Sequence, residues 1–380
     1  MKIWRIIVAG SLVLAALSAL QAQTPADAIA FERQGKLPEA ALAWRAVIER
    51  SPGDAGAFAA LGVVLSREKK YSEAAAAYRK ALGLDPKLHG VALNWGLAEF
   101  KQGHFAPAAA ALQGALAEDP DSRQVQTLLG LSYYGAKKFE LAAKYLEPVA
   151  KADPANAELH QTLAQSCLWA KNYSCATEQF QQLLQHDPDS AEAHVLLGEA
   201  LDGLGRTQEA IVEFEAAARI SPREPNVHFG LGYLDWKTQR YNRAQHEFES
   251  ELSIDSGHAQ ALAYLGDIEW KNNHPDEALS YLNQSRKLND SLRIVHLDLG
   301  AIYLQQKDYK NAKIALQRAV ALDPAQPDAH YQLGRLYQTV GNKTAAGGEL
   351  QKAQELHKKA EENLVGKIAT SPPALNPDEK

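Results

Sequence analysis

A period of 34 residues runs through the chain and limits what it can fold into. Pro52, Pro86, Pro120, Pro154, Pro188, Pro222 and Pro324 stand 34 residues apart or at whole multiples of that interval, and Ser256 and Asp290 occupy the two vacant slots. On the same ruler Ala40, Ala74, Ala108, Ala142, Ala176, Ala210, Ala244, Ala278, Ala312 and Ala346 fall in register. So do Gly62, Gly96, Gly130, Gly198, Gly232, Gly266, Gly300 and Gly334, with Ala28 and Ala164 in the other two units. The residue before each of these glycines is large and apolar, as in Leu61, Trp95 and Leu129. Self-similarity at this spacing means stacked supersecondary units, each packing on its neighbours, and not one globular core. The usual relation between length and domain count therefore does not apply to these 380 residues.

Each unit reads as a helical hairpin. With units counted from residue 21, small residues at the eighth and twentieth positions let two antiparallel helices approach closely, and large apolar neighbours fill the space between pairs. Asp54, Ser122, Asn156 and Ser190 stand where first helices begin, and their side chains are expected to cap the exposed N–H groups. Pro225 and Pro327 suit a first helical position, where a missing N–H does no harm. The periodic prolines end each second helix. Gly35, Gly103, Gly205 and Gly341 supply turns between the helices, with Lys or Asn at the equivalent sites elsewhere.

This pattern closely resembles the tetratricopeptide repeat family, over about ten units from residue 21 to residue 360. The resemblance implies an all-α, right-handed superhelical solenoid of antiparallel helix pairs, with first helices lining a concave wall. The departures are local: a short first helix opening at Thr24-Pro25, and Gly347-Gly348 in the last second helix, which should weaken it. The expected organisation is an export signal at 1–22, the solenoid at 23–360, and a capping end with a disordered tail at 361–380.

The signal reading rests on Lys2 and Arg5, an apolar run from Ile6 to Leu20, and a small residue, Ala22, at the expected cut; the alternative is an uncleaved anchor, for which the run is short. No other stretch is apolar enough to cross a bilayer, so no membrane span is expected after cleavage. The whole chain carries 40 Lys+Arg and 46 Asp+Glu, a net −6, and cleavage would leave −8. That sign excludes a protein that coats nucleic acid, which needs a basic surplus to displace counterions. The leader implies an exported protein, periplasmic or secreted, of bacterial type.

In the family the second, fifth, ninth, twelfth and thirteenth positions face the groove. Those slots hold Leu93, Leu97, Phe100 and Lys101 in the third unit, Leu131 and Tyr134 in the fourth, and Gln161, Gln165 and Trp169 in the fifth. The sixth turns acidic with Glu192, Glu199 and Asp202; the seventh presents Phe229, Tyr233, Trp236 and Lys237; the eighth presents Asp267, Trp270 and Lys271. Aromatics at this spacing either pack on the next helix or serve as interface anchors. Taken as anchors, they make a groove with two apolar patches flanking an acidic centre, suited to a protein or peptide segment with basic residues. The family's carboxylate-clamping mode needs Lys at the fifth and Asn at the ninth position, and neither occurs in any unit.

His160, His194, His228, His296 and His330 form a column at the fourth position. Ligands of one ion must converge within a few ångströms, whereas stacked helices lie about 10 Å apart, so a packing role and no metal is expected. Cys167 and Cys175 bracket one hairpin turn, as two buried thiols or as a disulfide. No nucleophile elbow, zinc-protease or phosphate-loop motif occurs, so neither catalysis nor a cofactor is expected. The sequence thus reads as a non-catalytic protein–protein interaction scaffold. The alternative is an accessory subunit of a polysaccharide machine, with Trp169, Trp236 and Trp270 stacking on sugars.

Overall fold

A computed structural model describes residues 24–370, with side chains through residue 362. The expected signal, 1–22, lies outside the described residues, as do residues 371–380. All regular structure among the described residues is α-helical, in two compact halves that divide between Pro188 and Asp189.

The N-terminal half holds five hairpins: α1 (Pro25–Arg33) with α2 (Leu37–Arg50), α3 (Ala55–Arg67) with α4 (Tyr71–Leu84), α5 (Val91–Lys101) with α6 (Phe105–Glu118), α7 (Arg123–Gly135) with α8 (Phe139–Ala152), and α9 (Ala157–Trp169) with α10 (Tyr173–His186). The C-terminal half holds five more: α11 (Ala191–Gly203) with α12 (Thr207–Ile220), α13 (Val227–Lys237) with α14 (Tyr241–Ile254), α15 (Ala259–Lys271) with α16 (Pro275–Leu288), α17 (Arg293–Gln305) with α18 (Tyr309–Leu322), and α19 (Pro327–Thr339) with α20 (Lys343–Thr370). No helix of the described residues is long and apolar enough to cross a membrane.

The turn inside every hairpin places one residue in the left-handed region. It is Gly35, Gly103, Gly205 or Gly341 in four units, and Lys69, Lys137, Lys171, Gln239, Asn273 or Lys307 in the others. Glycine adopts this geometry without steric cost, and the long polar residues carry it at the helix end. The expected Lys or Asn thus gains one Gln.

Helix starts follow the expected caps with two corrections. Asp54, Asn156 and Ser190 accept from the backbone N–H three residues on, but the Ser122 hydroxyl makes no such bond. Pro327 begins α19, whereas Pro225 lies ahead of α13, which opens only at Val227 after a left-handed Asn226. There the Glu251 carboxylate, 1% exposed, accepts from the N–H groups of Asn226 (3.0 Å) and Phe229 (3.1 Å). A buried anion at a helix N-terminus does the work of the missing cap.

Packing inside the hairpin depends on a position beyond the eighth and twentieth. A Cβ built on Gly130 would lie 2.5 Å from Leu146, on Gly198 2.8 Å from Phe214, and on Gly62 2.5 Å from Tyr78. Those large side chains all stand at the twenty-fourth position, on the second helix, and Tyr78, Leu146, Phe180 and Phe248 are essentially inaccessible to solvent. Each contributes about 1.5–3 kcal/mol by leaving water. The eighth position is therefore small because it receives a knob from its own partner helix.

Within each half, helices pack on their sequence neighbours, and first helices of successive units also pack directly on one another, as α5 on α7 and α15 on α17. The first helices thus run closer together than the second, and each half curves with the first helices on its inner face.

Candidate functional site

The inner face of the N-terminal half places Leu93, Leu97 and Phe100 half-buried and Lys101 exposed. Phe100 meets Phe105 edge-on at 5.6 Å. Further along, Tyr134 stacks on Trp169 at 5.7 Å, Phe139 lies 4.8 Å from Trp169, and the Tyr134 hydroxyl donates to Gln165 Oε1 at 2.6 Å. Trp169 keeps 49% of its surface exposed despite these neighbours. Two residues back, Cys167 is joined to Cys175 by a disulfide whose Cα atoms are 5.8 Å apart, linking the end of α9 to the start of α10.

Between α7 and α9 opens a cavity of about 450 Å³. Leu131, Val149 and Leu159 give it an apolar floor, and Arg123, Gln124 and Glu158 a polar rim. Groove slots Gln124, Thr127, Leu131 and Glu158 all line it, and of these only Leu131 was singled out by sequence reasoning.

In the C-terminal half the groove residues are tied to each other. Lys237 reaches Asp202 at 2.7 Å, so this acid carries its own cation. Trp236 donates its indole N–H to Asp267 Oδ2 at 2.5 Å, and Lys271 bonds the same carboxylate one helical turn away. The Lys271 ammonium also lies over the rings of Trp236 (5.2 Å) and Tyr241 (5.8 Å), in cation–π geometry. Phe229, Tyr233, Trp236 and Tyr264 form one aromatic cluster, with Trp236 and Tyr264 edge-on at 4.8 Å. Trp270 packs half-buried against the core around Leu282 and Leu299. Among the expected groove tryptophans, Trp236 and Trp270 thus act in packing, and Trp169 is the most open to solvent.

The expected acidic centre is accordingly a set of ion pairs more than a bare patch. Glu199 differs: it is exposed to the inner face with no lysine of its own, and crowding by surrounding protein pushes its carboxyl above the ordinary value.

Sequence reasoning missed Asp298, on α17. It is 6% exposed, and its buried Oδ2 has no hydrogen-bond partner. Loss of solvent raises its carboxyl well above the usual carboxylate range; Asp267 and Asp328 push it further, while Lys271 and Arg293 pull it back. Its signal in the sequence is an acid at the sixth position, where other units carry Leu128, Leu196 or Tyr264.

The histidine column clasps hairpins together. Nδ1 of His160 contacts Gln179, and Nδ1 of His194, His228 and His330 contacts Glu213, Glu247 and Glu349, all at 2.6–2.7 Å across to the second helix of the same unit. Nε2 of His228 and His330 donates to the carbonyls of Pro222 and Pro324, at the end of the preceding unit. His296 instead reaches the Asp290 carbonyl at 2.9 Å.

Stacked helical hairpins with an inner face of first helices define a repeat scaffold of the kind that mediates protein–protein interaction. The chain belongs to the tetratricopeptide repeat family: that family matches residues 26–89, 93–158 and 229–293, overlapping matches cover 133–194 and 170–232, and a TPR repeat match covers 300–341. Over 67 residues the chain is 36% identical to the type IV pilus assembly protein PilF of Pseudomonas aeruginosa, a stretch that is 18% of this chain and 27% of that protein. Among solved structures it is similar to the Cut9–Hcn1 hetero-tetramer of APC/C, at TM-score 0.53 and 14% identity, covering 87% of this chain and 80% of that one. It is also similar to YrrB, described as a TPR protein with an unusual peptide-binding site, at TM-score 0.38 and 21% identity, over 51% of this chain and 100% of that one. The first of these structural likenesses shows the fold alone.

Proposed function

We propose that this chain is a non-catalytic scaffold that holds a polypeptide segment bearing basic residues against its first-helix faces, after export to a bacterial periplasm or envelope. The observation that carries the reading is Trp169. It is a large aromatic, half open to solvent, held in place by Tyr134 and Phe139 on the inner face. A rigid, half-exposed tryptophan is a typical interface anchor because it offers much apolar area at little cost in conformational entropy. The preference for basic residues rests on Glu199, which has no lysine of its own, and on the acid–lysine pairs beside it in sequence, which an incoming cation can exchange. Export draws support from the leader-like 1–22 and from the short likeness to a bacterial pilus assembly protein. Of the three tryptophans that the sugar alternative uses, Trp236 is edge-on to Tyr264 and covered by Lys271, so it offers no open face for a pyranose ring.

The test is capture of partners from the native envelope by purified protein, with Trp169→Ala and Glu199→Gln as variants. Capture should fall with each variant and weaken as salt rises. Capture that ignores both substitutions and salt would overturn the reading.

A further inference from the structure

The C-terminal half buries two carboxyls under one lysine. Asp267 is 4% exposed and Asp298 6% exposed, on the successive first helices α15 and α17. Lys271 serves Asp267, and Arg293, the other nearby cation, is spoken for by Asp328 at 2.7 Å. Asp298 Oδ2 is left buried with no donor. Buried polar atoms in native proteins are overwhelmingly hydrogen-bonded, and an orphan among charged neighbours marks a place where a partner is missing. The walls of this place are aromatic: Tyr233, Trp236 and Tyr264 stand around the Asp267 side, and Lys271 lies across the Trp236 ring as a lid whose side chain is 36% exposed. Lys271 sits on the same helix as Asp267, so it can swing outward without any change in the fold.

We propose that the Asp267–Asp298 pair is a receptor for one guanidinium group, an arginine side chain of the bound polypeptide, which enters by displacing Lys271. A planar fork with five donors can pair with two carboxyls in bidentate fashion while its plane stacks on an aromatic ring, a fixed geometry that the compact, point-like ammonium does not offer. The arrival of that cation favours the ionised form of Asp298, which burial otherwise disfavours. The groups that set this balance are Asp267, Lys271, Arg293 and Asp328, with the Tyr264 hydroxyl, itself held protonated by burial. The inference rests on the reading that the inner face binds a basic segment, and it names where one basic residue goes.

The experiment titrates N-acetyl-arginine amide into the full chain and follows tryptophan fluorescence and heat of binding. Saturable binding is expected, with none for N-acetyl-citrulline amide, which has the shape without the charge. Asp298→Asn should weaken binding at least tenfold, and Lys271→Met, which removes the competing cation, should tighten it several-fold. Tightening is not something a merely structural lysine would produce, and it keeps the test alive if Asp298→Asn fails to fold. Absence of saturable arginine binding, or binding that neither variant moves, overturns the proposal. Should the arginine probe fail while envelope capture still depends on Trp169 and Glu199, this inference falls alone; should that dependence also be missing, the wider reading falls with it.

Discussion

Trp236 on α13 donates its indole N–H to Asp267 on α15, so one hydrogen bond ties the first helices of the seventh and eighth units. The ring at the same time packs against Tyr233 and Tyr264. A residue placed by its spacing as a groove anchor is therefore also a structural joint. Trp236→Phe, which keeps most of the ring and loses the N–H, should cost about 1–2 kcal/mol of unfolding free energy, and Trp236→Ala about 3–5 kcal/mol. Denaturant unfolding of both variants checks this; equal, negligible losses would mean that the bond and the cluster carry no stability.

The knob-and-glycine pairing makes a coupled prediction. Gly130→Ala drives a methyl to 2.5 Å from Leu146 and should destabilise by about 1–3 kcal/mol. Leu146→Val alone opens space and also destabilises. The double variant should lose less than the sum of the two, with a coupling of about 1 kcal/mol, because each change relieves the other. Strict additivity in the double-mutant cycle would contradict the pairing.

Asp298 sets a pH signature. Its folded-state value is raised, so the native chain keeps a proton that the unfolded chain has already released. The stability from this group is complete below the ordinary carboxylate value, near 4, and falls by up to about 1.4 kcal/mol per pH unit as pH rises toward the raised value. Asp298→Asn removes that loss. The variant should match the parent near pH 4 and exceed it by a growing margin as pH rises from there, measured by urea unfolding between pH 4 and pH 7. A difference independent of pH would contradict the assignment.

The Cys167–Cys175 disulfide closes a loop over a sequence separation of 8. Closing so short a loop restricts the unfolded chain by about 2–3 kcal/mol on the chain-entropy account. Unfolding with and without a dithiol reductant should differ by about that amount, and the Cys167→Ala/Cys175→Ala variant should behave like the reduced parent under both conditions. An unfolding midpoint unmoved by reductant would contradict the linkage.

Much of the fold is written at single positions of the repeat. Ala40 to Ala346, the periodic prolines and the hairpin-turn residues each report a local constraint that recurs every 34 residues, so ten weak signals add. The knob at the twenty-fourth position was equally visible, from Trp44 through Leu350, but its meaning lies in a contact between helices that spacing does not reveal. The groove was legible only as a set of slots. Which aromatics stay open depends on neighbours in other units: Trp169 ends half exposed, while Trp236 is drawn in by Tyr264 and Asp267. The acidic centre was misjudged for the same reason, because the lysines Lys237 and Lys271 fold back onto Asp202 and Asp267. Asp298 was missed because a single departure from the repeat carries no periodicity.

Site-specific photo-crosslinking in the native cell tests the central claim most directly. A photoreactive residue is placed in turn at Trp169 and Glu199, on first helices, and at Val212 and Ile314, exposed on second helices. Each first-helix position should crosslink polypeptide and the second-helix positions should not. Crosslinks confined to Val212 and Ile314 would place partner contact on the opposite face and contradict the account.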